Sequence, residues 1–390
     1  MMLKDSFTST GAKFFAHEEA MQNLRNKRGQ PITCHIMLTD VCQHTCAFCS
    51  VQARAGDALQ FSEVTGFLDI LLEYKLKSVI LSGGGNPILY KCKKSGKTFN
   101  DVVDACYARG LDIGLITNGM PLRKYESKWD INLKVFTFRE SWGTVKPETL
   151  DKLTWVRISM SGLDHEENEV FVPDIDPAKT ALGFSYVAHD VYKEPEDPHH
   201  GKVSRPLDLI SGNKQRSPNV YFEERAEELT KQITHYARFY KPRYVRLLPN
   251  CLEPELIASR CKHLGEIART INFSINREVA FVQYKPPAAP KACYLGYVHP
   301  VLNCDGFVYP CDSCVLNEAA GHSFGQSWRV CHWKDIAQLY ERPVESLIAD
   351  PGKQCPGCVF TGSNDLLKRV VDGKVDPTPP SDAPTHINFV

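Results

Sequence analysis

Six short apolar runs, separated by stretches of helical spacing or by long polar connections, predict an α/β protein built on a parallel sheet, closed as a barrel or left open. Two further observations say where such a sheet would be used. Three cysteines, Cys42, Cys46 and Cys49, follow the first run directly, and seven more lie beyond about residue 275, where the texture of the chain changes. In parallel α/β folds the C-terminal strand ends form the active site, so the first group stands where chemistry is expected.

The elements follow in order. Residues 1–30 read as a polar N-terminal extension with a short helix around His17 to Arg25. Ile32 to Thr39 alternates and predicts the first strand, ending at the cysteine loop. Ser62 to Leu76 is amphipathic, with Ser62 as the expected N-cap. Val79 to Leu81 is a buried-strand run that stops at the turn SGGGNP, Ser82 to Pro87, and a helix over Asn100 to Arg109 precedes the strand Leu111 to Gly119. The alternation continues with strands at Thr154 to Gly162, Ala181 to His189 and Arg243 to Asn250, and a helix over Phe222 to Tyr240. Two stretches interrupt it. Met120 to Leu150, with several aromatics, reads as an insertion or a substrate lid, and His189 to Val220, rich in Pro, His, Lys and Ser, as a lid or substrate loop. The tail from Val371 is Pro-rich and expected to be extended or disordered. The predicted organisation is an extension at 1–30, a core at 31–275, a small cysteine-rich domain at 276–370 and the tail at 371–390.

Charge and composition narrow the function. Forty-six basic residues balance 46 acidic ones, which leaves no electrostatic footprint for nonspecific nucleic-acid binding or an anionic membrane. No signal-like apolar segment opens the chain and no run is long enough to span a bilayer, so a cytoplasmic protein is expected. In a reducing compartment 15 clustered cysteines point to metal ligation rather than disulfides. C-x3-C-x2-C lets three thiolates converge on an iron-sulfur cluster and leaves one metal position open for a small molecule. A zinc site using His44 as fourth ligand is the competing reading. The lone cysteines Cys34, Cys92, Cys106, Cys251 and Cys261 read as buried structural thiols.

The triplet at the end of strand one, Phe48 just before its third cysteine and the glycine turn ending strand two together resemble the radical S-adenosylmethionine (radical SAM) superfamily over roughly residues 32–250. The resemblance implies a partial (β/α)6 TIM-like barrel. It implies a 4Fe-4S cluster on Cys42, Cys46 and Cys49, whose open iron chelates S-adenosylmethionine, with Phe48 beside the adenine. Gly83, Gly84, Gly85 and Asn86 match the family's amine-binding turn, with Asn86 where Glu is common; the uncharged amide leaves more of the binding to the glycine backbone. Asn118, Arg157 and Ser159 match strand-end positions facing the cofactor, Arg157 as a carboxylate partner. Thr117 and Ser161 belong to the same strand ends.

Behind the core, Cys293, the segment CDGFVYPC ending at Cys311, and Cys355 with Cys358 resemble the twitch form of the SPASM domain. That likeness implies one auxiliary 4Fe-4S cluster on Cys293, Cys311, Cys355 and Cys358, with Cys314 and Cys331 as extras. A ribbon-like zinc site on Cys311, Cys314, Cys355 and Cys358 is the alternative. The implied activity is reductive cleavage of S-adenosylmethionine and hydrogen-atom abstraction, with oxidation of a small molecule of the sugar, cyclitol or nucleotide type. A flavodoxin- or ferredoxin-like reductant is the implied partner. Tyr186 and Arg277 are the positional candidates for assisting proton loss. A peptide maturase, a redox-neutral isomerase and a noncatalytic zinc-bearing interaction protein are the alternatives.

Overall fold

The structure is a computed structural model and describes residues 6–8, 11–44, 46, 48–49, 51, 54–120, 129–130, 135–136, 145–165, 169–190, 221–251, 253–284, 288–312, 326–355, 357–379, 381 and 384–390. Its strands in chain order are β1 (Thr33–Ile36), β2 (Ser78–Leu81), β3 (Asp112–Thr117), β4 (Trp129–Asp130), β5 (Val135–Phe136), β6 (Trp155–Ser159), β7 (Ala181–Ala188), β8 (Tyr244–Pro249), β9 (Ala280–Val282), β10 (Val301–Leu302), β11 (Phe307–Tyr309) and β12 (Cys331–His332). One ten-stranded sheet takes the order β12-β11-β10-β1-β2-β3-β6-β7-β8-β9, while β4 and β5 pair only with each other. Every pairing from β10 through β1 to β9 is parallel, and β11 and β12 are added antiparallel. The partial parallel barrel expected from the sequence is present. Its parallel part has two strands more than the six read from it, because β9 and β10, both beyond residue 275, join the two edges of the core sheet.

Register explains why these strands are apolar in both parities. Cys34, Val79, Ile113, Val156 and Leu182 belong to one parity, and with Leu81, Leu115, Ile158, Phe184 and Val245 they enter the main core against the helices. The facing helices are Phe61–Glu73, Phe99–Ala108, Phe222–Tyr240 and Ile257–Ile275, which bury one stripe each, such as Val64, Phe67, Leu68 and Leu71. The first of these starts at a capping box of Gln60 and Glu63 rather than at Ser62, because Glu63 reaches back to the Gln60 N–H at 2.7 Å.

The other parity faces the barrel lumen, and it is stacked in layers. Thr33, Ser78 and Asp112 are in register, then Ile80, Gly114 and Trp155, then Ile116, Arg157, Gly183 and Tyr244, then Ser159, Ser185 and Arg246. Gly114 and Gly183 make this packing possible. A Cβ at Gly114 would lie 2.2 Å from the Trp155 ring, and one at Gly183 would lie 2.1 Å from the Tyr244 ring.

The end of the chain is ordered, contrary to the expectation of an extended or disordered tail. Asn388 carbonyl oxygen accepts from the Thr33 and Ser78 hydroxyls, and its amide donates to Asp112 at 2.7 Å, so one tail residue satisfies the lowest lumen layer. Phe389 packs on Trp155 and Ile80, and Val390 is 1% exposed. A polar pattern at Thr33, Ser78 and Asp112 thus finds its partners more than 270 residues away in sequence. A second core under β10 and β11 joins Met21 and Leu24 of the helix Glu18–Arg25 to Leu367 and Val370 of the helix Thr361–Val371. No helix among the described residues is long and apolar enough to cross a membrane.

The lumen packing sets a stability test. Gly183→Ala should cost about 1–3 kcal/mol by driving a methyl into the Tyr244 ring, whereas Gly265→Ala, in an open position of the helix Ile257–Ile275, should gain about 0.5–1 kcal/mol. Urea denaturation of the two variants beside the parent checks both signs.

Candidate functional site

The loop after β1 is held by the turn after β2. Gly83 and Gly84 have φ of 78° and 65°, a backbone region costly for other residues, and a Cβ at Gly85 would lie 2.0 Å from the Val41 carbonyl. This close approach lets Gly85 N–H donate to Thr39 and Asn86 N–H donate to Val41, each at 2.7 Å. The ladder between β1 and β2 therefore continues past both strand ends into the cysteine loop.

Asn86 is buried and its side chain is engaged within the protein. Its Oδ1 accepts from the Thr117 hydroxyl at 2.8 Å and from Ile88 N–H, and its Nδ2 donates to Asn118 Oδ1 at 2.6 Å and to Gln43 at 3.3 Å. A carboxamide, with both donors and acceptors, ties three loops together here where a carboxylate could not donate. Asn118 Nδ2 in turn reaches Cys42 Sγ at 3.8 Å.

The three thiols act on one another. Burial raises the Cys42 and Cys46 thiols; Cys49 adds to the rise at Cys42, and both Cys49 and Cys42 add to it at Cys46. Arg54 supplies the compensating charge, donating to the His44 carbonyl at 2.7 Å and approaching Cys49 Sγ at 3.6 Å. Three converging thiols beside one guanidinium suit a soft metal centre that carries net negative charge, and binding it would release thiol protons. His44 and His165 stack at 4.0 Å, with His165 Nε2 3.4 Å from Cys46 Sγ, so that His44, Cys46 and His165 bring ligand atoms within 4.8 Å of one another. His165 carried no signal in the sequence beyond its place after the fourth core strand. Ser161 touches His44 at 3.4 Å, and Ser159 is partly buried at the end of β6.

Phe48 lies against His189, ring centroids 4.8 Å apart. Behind them, Asp164 accepts from Arg225 at 2.6 Å and from the Tyr186 hydroxyl at 3.1 Å, and lies 3.7 Å from His189. Burial outweighs Arg225 and Tyr186 and lifts the Asp164 carboxyl to about 6; burial and the Arg260 and Arg225 charges depress His189 to about 3. Tyr186, a positional candidate for assisting proton loss, belongs to the helix-facing parity of β7 and to the main core, and its hydroxyl donates to Asp164. The other positional candidate, Arg277, lies apart from these residues. It follows the helix Ile257–Ile275 and donates to the Pro242 carbonyl at 2.9 Å, at the N-terminal ends of the strands, opposite the cysteine loop. Arg157 is mid-strand, one layer below Ser159, where its Nε donates to the Tyr244 hydroxyl at 2.9 Å and its Nη2 to the Phe7 carbonyl at 3.3 Å.

The second cysteine group also converges. Burial, Cys311 and Cys358 raise the Cys293 thiol; Cys355 and Cys358 share a hydrogen bond, which raises Cys355 and lowers Cys358 to about 7. Cys311 and Cys293 act on Cys355 too, so all four thiols form one set. The frame is local: Cys293 N–H donates to Ser346, Leu347 N–H to the Cys293 carbonyl, and Ala288 bridges Cys358. Cys331 lies apart in β12, acted on by burial and Asp335, and Cys304 is pushed up to about 12 by burial, Asp40 and neighbouring carboxylates, beside the cysteine loop. Cys314, Met120 to Leu150 for the most part, and the proposed loop through residue 220 lie outside the described residues.

A parallel half-barrel whose first strand runs into C-x3-C-x2-C, with a glycine turn packed on that loop, is the arrangement that the radical SAM resemblance implies. Three solved structures resemble the chain. SuiB of Streptococcus suis bound to precursor peptide SuiA is 12% identical with a TM-score of 0.45, over 75% of this chain and 62% of that one. The enzyme anSMEcpe with bound AdoMet and Cp18Cys peptide is 14% identical with a TM-score of 0.47, over 92% and 94%. BtrN in complex with AdoMet and 2-DOIA is 11% identical with a TM-score of 0.35, over 90% and 93%. The likeness at these values is one of broad fold, and this chain spans less than two thirds of the SuiB chain. No protein-family profile and no curated protein matches the chain.

The raised Asp164 carboxyl has a definite sign. Between its ordinary value of 3.8 and about 6 the folded chain holds a proton the unfolded chain has lost, so this group's contribution to stability falls as pH rises through that window. Asp164→Asn, which cannot titrate, should therefore gain stability relative to the parent from the lower to the upper end of the window, as read by denaturation midpoints; parallel profiles would contradict it.

Proposed function

We propose that the chain is a radical SAM oxidoreductase that removes hydrogen from a small molecule of the sugar, cyclitol or nucleotide type. Cys42, Cys46 and Cys49 would hold a 4Fe-4S cluster that binds S-adenosylmethionine, and Cys293, Cys311, Cys355 and Cys358 an auxiliary 4Fe-4S cluster. What supports this reading is the C-x3-C-x2-C loop at the end of β1, fastened by the glycine turn, with the segment that carries Cys293, Cys311, Cys355 and Cys358 joined to the same sheet through β10. When bound, the first cluster with S-adenosylmethionine would supply hydrogen-atom abstraction, and the second would supply a one-electron acceptor, the matching proton leaving to solvent.

The chain's own residues do the rest. Arg54 offsets thiolate charge at the loop, and Phe48 with His189 forms an aromatic wall beside it. The Gly85 and Asn86 N–H groups are taken by Thr39 and Val41, so a ligand amine at this turn would be met by carbonyl oxygens. Asn86 holds Gln43 and Asn118 in place around Cys42. A small electron carrier of the flavodoxin or ferredoxin kind would deliver the reducing electron.

Iron and sulfide analysis of anaerobically purified protein tests the metal assignment, with zinc and colourless protein as the contrary result. Changing Cys42, Cys46 or Cys49 to Ala should abolish deoxyadenosine formation; retained cleavage would sink the assignment. Replacing Cys355 and Cys358 together should remove about one cluster's iron while sparing some uncoupled cleavage, and unchanged iron would refute the auxiliary site. Deuterium moved from substrate into deoxyadenosine, with a substrate-derived product two electrons more oxidised, separates dehydrogenation from isomerisation.

A further inference from the structure

The lumen below the cysteine loop is lined by cationic side chains. A cavity of about 60 Å³ is bordered by Arg157, Arg246 and Lys13, with the rings of Tyr244, Trp155 and Phe389 around them, and no Asp or Glu lines it among the described residues. Lys13 is 2% exposed and donates to the Phe389 carbonyl at 3.2 Å. Arg157 has neutral partners, the Tyr244 hydroxyl and the Phe7 carbonyl. Arg246 donates from Nη1 to Gln283 at 2.8 Å, while its buried Nε has no partner among the described residues.

The electrostatics agree with this geometry. Burial and the charge of Arg157 depress Arg246 to about 9; Tyr244, Asp312 and Cys251 pull the other way more weakly. His386 at the cavity floor is depressed to about 4, by burial and by Lys13 and Arg243, against Asp112. Two guanidiniums bordering one cavity, with no carboxylate lining it among the described residues, are costly unless an anion joins them.

We infer that the lumen holds an oxyanion head group of the substrate, a carboxylate or a phosphate, between Arg157 and Arg246. The anion lies between the layer of Arg157 and that of Ser159 and Arg246, which leaves the remainder of the molecule to extend toward the strand ends and the cysteine loop. A space of this size takes one such group and not a whole sugar or nucleotide. That the anion belongs to the substrate rests on the radical SAM reading; that an anion binds here does not.

The test uses the full chain, without cluster or S-adenosylmethionine, in thermal unfolding with graded inorganic phosphate or acetate at constant ionic strength. The parent should be stabilised saturably by at least one of these anions, and Arg246→Met should lose roughly tenfold or more in affinity for it. Without added anion, Arg246→Met should unfold at the same or a higher temperature than the parent, because it removes an unpaired buried charge. Arg246→Lys, which keeps the charge but lacks the Nε donor, should show an intermediate response and provides the measurement if the methionine variant does not fold. No saturable response from either anion, or an equal response in the variants, would overturn the site. Addition of S-adenosylmethionine to the cluster-loaded protein should leave the anion response in place; its abolition would give the site to the cofactor's own carboxylate and end the substrate assignment.

Discussion

The pleat of the parallel sheet sets what each residue in this protein can do. Side chains alternate strictly between the helix side and the lumen, and the registers from β1 to β8 keep that alternation in phase. Phe184 and Tyr186 are therefore committed to the core with the helices, whereas Arg157 and Arg246, on β6 and β8, are committed to the interior. Gly114 and Gly183 matter for the same reason: at lumen positions, missing side chains create the room that Trp155 and Tyr244 fill.

The cysteine loop inherits its position from this sheet. Its contacts with the glycine turn extend the β1-β2 ladder, and the carboxamide of Asn86 carries the connection on to β3 through Thr117 and Asn118. Three successive strand ends are thus fastened together at one point. On the other flank, Cys304 of the second cysteine segment is close enough to feel Asp40, so the loop is framed from both sides.

Much of the fold was legible because parallel strands are written as apolar runs and their helices as apolar stripes. The helix Phe222–Tyr240 falls on its expected bounds. β9 escaped notice because three residues after a polar turn carry too little pattern, although the sheet edge recruits them. The tail escaped for a different reason: its partners, Thr33, Ser78 and Asp112, are polar residues at strand starts, and nothing local pairs them with Asn388. At the site, the cysteine spacings were readable because metal ligation demands particular residues at particular intervals. The surroundings of Tyr186 and Arg277 were not legible, because nearness in sequence to a strand end or a domain edge does not fix the face. Arg246 shares its parity with Tyr244, and that period of two was the available clue to its lumen position.

The tail that fills the lowest layer gives the barrel one stoppered end. Asn388 and Phe389 occupy the N-terminal mouth, so the described lumen is a well and not a passage. Occupancy of a well is a matter of order. Were a molecule seated at the depth of Arg157, it would have to enter before whatever covers the strand tops and leave after it, the first component in being the last one out.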